Sequence, residues 1–172
     1  MTQVFISVQN SFAEELKGFV LKAVIQRVID ASVSVNGEVK GKIDCGLLVY
    51  LGVAHEDTEA DADWLVEKIV NLRIFNDSGG KMNLSLKDLV LSGERAGVLA
   101  VSQFTLLADA RKGRRPSWNG AALPDKAKQL YDFFIDEVKK HDLVCESGEF
   151  QANMKVTYTN DGPVTIILDT KE

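Results

Sequence analysis

Two apolar runs constrain this chain most: GLLVYLGVA at 46–54, which is continuous, and AGVLAVSQFTLLAD at 96–109. Both are rich in β-formers and far shorter than a membrane span, so each reads as a buried strand. Something must cover them, and two amphipathic segments are available. In TEADADWLVEKIVNLRIF (58–75), Ala62, Leu65, Val66, Ile69 and Leu72 recur at helical spacing. Thr58 is its natural N-cap, with acids in the first turn at the positive end of the dipole. LPDKAKQLYDFFIDEVKKHD (123–142) is the second helix, with Pro124 in its first turn and Lys139, Lys140 and His141 at its negative end.

The remaining segments alternate. KAVIQRVIDASVSVNGEVKGKI (22–43) reads as a strand and a hairpin turning on Asn36-Gly37. NDSGG (76–80) breaks the chain. ANMKVTYT (152–159) sets Met154, Val156 and Tyr158 against Lys155, Thr157 and Thr159, a strand with one wet face. NDGP (160–163) is expected to turn it, and VTIILD (164–169) to close the chain as a strand. Strands, helix, strand, helix and two strands make an α+β fold, with a largely antiparallel, barrel-like sheet and two main helices. At 172 residues the chain suits one domain with a sizeable core.

Charge and cysteine content narrow the function classes. The formal net charge of -5 argues against a general nucleic-acid coat protein but leaves room for a local basic patch. Cys45 and Cys145 are far apart and form no C-x-x-C pair, which points to free thiols in a reducing compartment. His55 and His141 are isolated, and no Cys/His/carboxylate cluster has ligand spacing, so no metal is expected.

One stretch departs from the acidic background. SQFTLLADARKGRRPSWNG (102–120) joins a run carrying Ser102, Gln103 and Thr105 to a cluster of Arg111, Lys112, Arg114 and Arg115. Ser102 lacks the G-x-S-x-G context of a hydrolase elbow, and neither histidine lies in a motif that would serve it, so a Ser-His-Asp triad is disfavoured. In a regular strand Gln103 and Thr105 share one face, while Ser102, Phe104 and Leu106 share the other. Convergence of the polar groups needs a bulge or a strand end near Gln103. The plainer alternative is a half-buried strand whose hydroxyls bond backbone. Four bases within five positions of an acidic chain favour an anionic partner over a merely solvated loop. Such contacts position a nucleic acid and do not read it.

SQFTLLAD and NDGPVT, with AVIQRV, NLRIF and RKGRRPS, together resemble the D-aminoacyl-tRNA deacylase family, from about Lys22 to Asp169. The resemblance implies an ester hydrolase that removes D-amino acids from tRNA, a proofreading step of translation in the cytoplasm. It also implies action on glycine-charged tRNA, including glycine mischarged on alanine tRNA. A homodimer without cofactor, membrane or DNA partner is implied, its active sites lying at the subunit interface. Ser102, Gln103, Phe104 and Thr105 match the catalytic strand, with Leu106 lining the pocket. Thr105 is the best side chain for a direct role, and backbone N–H groups around Gln103 and Phe104 are expected to hold the oxyanion. Gly162-Pro163 matches a cis pair inserted from the partner subunit to exclude L side chains, and Arg27 is expected to support it. Phe150 and Met154 match positions near the adenosine, and Arg111, Lys112, Arg114 and Arg115 would meet tRNA phosphates. The alternative is a non-catalytic nucleic-acid-binding protein of the same fold.

The start departs from the family pattern. Residues 1–21 form an extension to a single deacylase domain at 22–172. The extension reads as a mis-called start, an expression artefact or a real addition. Glu14-Glu15 and the lack of a basic lead make it a poor signal peptide. Ser11 and Glu14 have capping-box spacing for a short helix from about residue 12.

Overall fold

The computed structural model describes residues 20–111 and 113–170. The expected N-terminal helix and Lys112 lie outside the described residues. The elements run β1 (Lys22–Val35), β2 (Glu38–Ile43), β3 (Cys45–Gly52), α1 (Glu59–Val70), β4 (Phe75–Asn76), β5 (Met82–Leu84) and α2 (Leu86–Leu91). They continue with β6 (Ala96–Ser102), a 3-10 turn (Phe104–Leu107), α3 (Pro124–Lys140), β7 (Val144–Ser147) and β8 (Met154–Asp169).

The main sheet has the order β2-β1-β3-β6-β7, with β8 on the other edge of β1. β1 organises it, because fourteen residues give room for three partners. Its first half pairs with β3, from Lys22 opposite Gly52 to Val28 opposite Gly46. Its second half pairs with β2 across the Asn36-Gly37 turn, where both residues have positive φ (52° and 85°), as a two-residue hairpin requires. β8 runs along the whole opposite edge. These pairings are antiparallel, but β3 with β6 and β6 with β7 are parallel. The sheet is therefore mixed: largely antiparallel, as expected, with two parallel pairings that the sequence reading did not foresee. α1 and α3 carry the chain back across the sheet after β3 and β6, and that return leaves the next strand parallel.

The sheet curls into a half-barrel. A Cβ placed on Gly41 of β2 would lie 2.7 Å from the Ser147 carbonyl of β7, so the two ends of the strand order come together. This explains the two apolar runs. Leu47, Val49 and Leu51 of β3, with Val98 and Ala100 of β6, face the helices. Leu48 of β3, with Leu99 and Val101 of β6, packs with Val28, Ala31 and Val33 on the other face. Strands covered on both faces lose their polar alternation.

Both long helices behave as their spacing predicts. Thr58 and Asp61 form a capping box at α1, and α1 buries Ala62, Leu65, Val66, Ile69 and Val70. α3 buries Leu130, Tyr131, Phe134, Ile135 and Val138 behind Pro124. Two expectations are corrected and one short element is added. α1 stops at Val70 and does not run to residue 75. α2 is a third helix, short, with its own capping box of Ser85 and Asp88. NDGP does not turn the chain between two strands: residues 154–169 are one strand, and NDGP sits within it. Asn160 pairs opposite Val28 and Thr165 opposite Gln26, so residues 161–164 face Arg27 alone and bulge outward. Pro163 has no N–H for the ladder, and a bulge removes the need for one.

Candidate active site and its gate

β6 ends at Ser102, short of the expected strand end at residue 109. Gln103 leaves the strand (φ -144°, ψ 79°), and Phe104–Leu107 coil into a 3-10 turn. This is the strand end that convergence of the polar groups required. The Gln103 side-chain amide now donates to Thr105 Oγ1. The Gln103 N–H donates to the Leu51 carbonyl at 2.8 Å, which ties the turn to the end of β3. Gly52 allows that approach, because a Cβ there would meet both the Gln103 carbonyl and Leu106 Cβ at 3.0 Å.

The tie changes the expected set of oxyanion donors. The Gln103 N–H is engaged and unavailable to a substrate. The N–H groups of Phe104 and Thr105, at the head of the turn, donate to no described residue.

Ser102, Gln103 and Phe104 open onto a cavity of about 590 Å³. Its floor is apolar, from Leu51, Val53 and Val101, and Phe150 and Met154 join the opposite wall. Of the expected site residues, the structure gathers these five around one space. Thr105 and Leu106 are not among the lining residues. Thr105 stands beside the wall through its bond to Gln103, and Leu106 packs over Gly52.

Sequence reasoning missed Tyr131, which lines the cavity, donates to the Ala100 carbonyl at 2.8 Å and lies against Phe150 with ring centroids 5.9 Å apart. Burial holds its phenol protonated, well above the ordinary tyrosine value, so it is a fixed wall and no base. No histidine supplies a base either. His55 Nε2 lies 3.0 Å from the Asn119 carbonyl, and His141 pairs with Glu67 at 3.3 Å; neither lines the cavity. Cys145 is buried beneath α3, and desolvation pushes its thiol up to about 12, which keeps it protonated and unreactive.

Asp109 and Ser117 exchange two backbone bonds of 2.8 Å, which fixes the base from which Arg111, Arg114 and Arg115 extend. Arg111 is committed to that base: its Nε and Nη2 grip the Asp109 carboxylate at 2.9 and 2.7 Å. Arg114 and Arg115 are exposed and form no ion pair with any described residue. The expected phosphate contacts thus divide into an internal strut and two outward charges.

Gly162 and Pro163 lie elsewhere. They are exposed at the tip of the β8 bulge, joined by a cis peptide bond, with Gly162 at φ +117°. Arg27 is only 6% exposed. Its Nη1 donates to the Ile74 carbonyl at 2.6 Å, and its Nε lies 2.8 Å from Asp161 Oδ2, a close charge contact off the line of a hydrogen bond. Asn160, which sequence reasoning passed over, closes the bulge by donating to the Arg27 carbonyl at 3.3 Å and the Val164 carbonyl at 3.0 Å. Only the register opposite β1 reveals this role. Six positions separate Gly162 from Val156, the nearest cavity-lining residue of β8, about 20 Å along an extended strand. The bulge thus stands away from the part of β8 that lines its own chain's cavity.

The family model described as D-Tyr-tRNA(Tyr) deacylase matches residues 24–169. The D-aminoacyl-tRNA deacylase of Kosmotoga olearia is 56% identical over 153 residues, 88% of this chain and 99% of its own. That of Thermosipho melanesiensis is 54% identical over the same shares. Among solved structures, the c-Myc DNA Unwinding Element Binding Protein has a TM-score of 0.78 at 40% identity, over 86% of this chain and 97% of that one. A probable eukaryotic D-amino acid tRNA deacylase, at TM-score 0.72 and 19% identity over 87% and 99% of the two chains, shares the fold.

Proposed function

This chain belongs to the D-Tyr-tRNA(Tyr) deacylase family and hydrolyses D-aminoacyl-tRNA, and from that premise we propose how its own residues perform the reaction. The single observation that carries the proposal is the 3-10 turn head, where two unengaged N–H groups stand beside a cavity with an apolar floor. The aminoacyl ester enters with its carbonyl at Phe104. Water adds to the carbonyl carbon, and the tetrahedral oxyanion is held by the Phe104 N–H, with the Thr105 N–H beside it. The bond to the ribose oxygen then breaks. The proton released by the water goes to that oxygen, relayed by the neighbouring 2′-hydroxyl of the adenosine. Free D-amino acid and free tRNA leave.

In this scheme no protein side chain acts as nucleophile. The Thr105 hydroxyl receives a proton donor from Gln103, and an amide takes no proton from it, so it stays unactivated. Its part is to position Gln103 and the turn. Phe150 and Met154 hold the adenosine, and Arg114 and Arg115 meet the phosphates behind it.

Chirality is read by a second copy of the chain. The β8 bulge stands away from its own cavity, and in a homodimer Gly162-Pro163 enters the partner's. Its main chain fills the space an L side chain needs, and tolerates a D side chain or the hydrogen of glycine. Glycine-charged tRNA is therefore also a substrate, including glycine mischarged on alanine tRNA. The enzyme works in the cytoplasm, where charged tRNA is used, and residues 22–172 form its one domain. Deacylase relatives at 54% and 56% identity favour this reading over a non-catalytic nucleic-acid-binding protein. The decisive assay follows ester loss from D-Tyr-tRNA and L-Tyr-tRNA. Rapid loss from the D ester alone is expected. Equal loss from both esters would remove the chiral gate.

A further inference from the structure

Phe104 is 56% exposed and Trp118 is 41% exposed. The two meet edge to face, with centroids 5.4 Å apart at 69°. The position of the pair is specific. Phe104 forms part of the cavity rim, and Trp118 follows directly on Ser117, at the base of the basic loop. Trp118 is itself anchored, since its carbonyl accepts the Ala121 N–H at 2.9 Å and Ala121 lines the cavity. An exposed ring thus stands against the cavity rim, three and four positions along the chain from the cations Arg115 and Arg114.

Resting on the deacylase reading above, we propose that Trp118 is a stacking platform for the nucleotide that precedes the terminal adenosine. The chemistry matches that occupant. A tRNA acceptor end is single-stranded, so its bases are free to stack. Proteins hold such strands with exposed aromatic rings for the bases and cations for the backbone. Phe104 meets the indole in a T-shaped contact, which covers at most one of its two faces. Once the ester enters the cavity, the next nucleotide emerges at the rim, where Trp118 stands. The phosphates that follow emerge beside Arg114 and Arg115. The stack is blind to the amino acid, so it adds affinity for tRNA without altering chiral choice.

The test compares two esters that differ by one nucleotide: D-tyrosyl-adenosine and D-tyrosyl-cytidylyl-adenosine. In the unaltered enzyme the longer ester should have the higher kcat/KM. Trp118→Ala should shrink that advantage by about tenfold, the scale of one base–aromatic stack, chiefly through KM. Trp118→Phe should restore most of it. An equal loss on both esters, or no advantage of the longer ester in the unaltered enzyme, would overturn the proposal while leaving the deacylase assignment intact. Failure of the unaltered enzyme on D-Tyr-tRNA would instead overturn the assignment. A binding measurement tests the platform independently of turnover. The chain has two tryptophans, so Trp64→Phe leaves Trp118 as sole reporter. Quenching of its fluorescence by the trinucleotide CCA, lost when Arg114 and Arg115 are both reversed in charge, supports the platform. Absence of quenching refutes it.

Discussion

Thr105 carries a hydroxyl that no base touches, beside an amide that only donates to it. Main-chain donors survive any side-chain change, so Thr105→Ala should retain measurable deacylation. We expect kcat to fall by up to about a hundredfold, the scale of a small misplacement of the reacting groups. A fall of about a millionfold in a folded, tRNA-binding variant would mark a true nucleophile. Asn160 tests the gate at the same scale. Its amide holds the Arg27 and Val164 carbonyls, one on β1 and one at the end of the bulge. Asn160→Ala should cost about 1–2 kcal/mol in urea unfolding, because those carbonyls lose a shared donor. The same variant should narrow the difference between D-Tyr-tRNA and L-Tyr-tRNA, because the bulge is no longer closed.

Among the elements, β2 shows how tightly the curl is drawn. Gly41→Ala would press a methyl carbon against the Ser147 carbonyl at 2.7 Å and its nitrogen at 3.0 Å, and backbone atoms cannot swing aside. A loss of about 1–3 kcal/mol is expected in the unfolding free energy. α2 carries a pH signature. The Ser85 N–H and hydroxyl both donate to the Asp88 carboxylate and hold its pKa below the ordinary 3.8. A depressed carboxylate contributes its stabilisation above the unfolded pKa and loses it as pH falls through the lower folded value. Protection of the Ser85 amide against exchange should therefore decline as the medium is acidified below 3.8, and Asp88→Asn should abolish that titration.

At the scale of the molecule, a chain of net charge -5 must attract a polyanion through a local field. Reversing Arg114 and Arg115 should raise KM for D-Tyr-tRNA and flatten its salt dependence, because fewer counterions are released. The D-over-L preference should hardly move, since phosphates carry no chirality of the amino acid. An unchanged salt slope would show a merely solvated loop. The gate makes a second demand. Ala152→Trp should fill the cavity, and Gly162→Ala should displace the bulge, where a Cβ meets Val164 Cγ2 at 2.8 Å. If the gate acts between copies, chains carrying either change pair to rebuild one sound site. Mixing them equally should return about a quarter of the lost chiral deacylation, from random pairing into dimers. No recovery, with mixed dimers present, would place the gate within one chain.

The sequence by itself determined the elements whose signal is local. The spacing of Leu65, Val66 and Ile69, the Thr58 cap and the Asn36-Gly37 turn each depend on residues within a few positions of one another, and each stands in the fold where periodicity puts it. It also carried the family, because SQFTLLAD and NDGPVT are contiguous motifs. What needed tertiary structure depends on partners far along the chain. NDGP reads locally as a turn; opposite the continuous edge of β1 it becomes a bulge, because pairing on both sides keeps the strand running. SQFT reads as strand, but the end of β3 stops it: the Leu51 carbonyl takes the Gln103 N–H, and the chain coils over Gly52. That long-range bond removed one expected oxyanion donor and left those of Phe104 and Thr105 at the turn head. Local propensity specifies the shape of a segment, while hydrogen bonds across the sheet decide which N–H groups remain for a substrate.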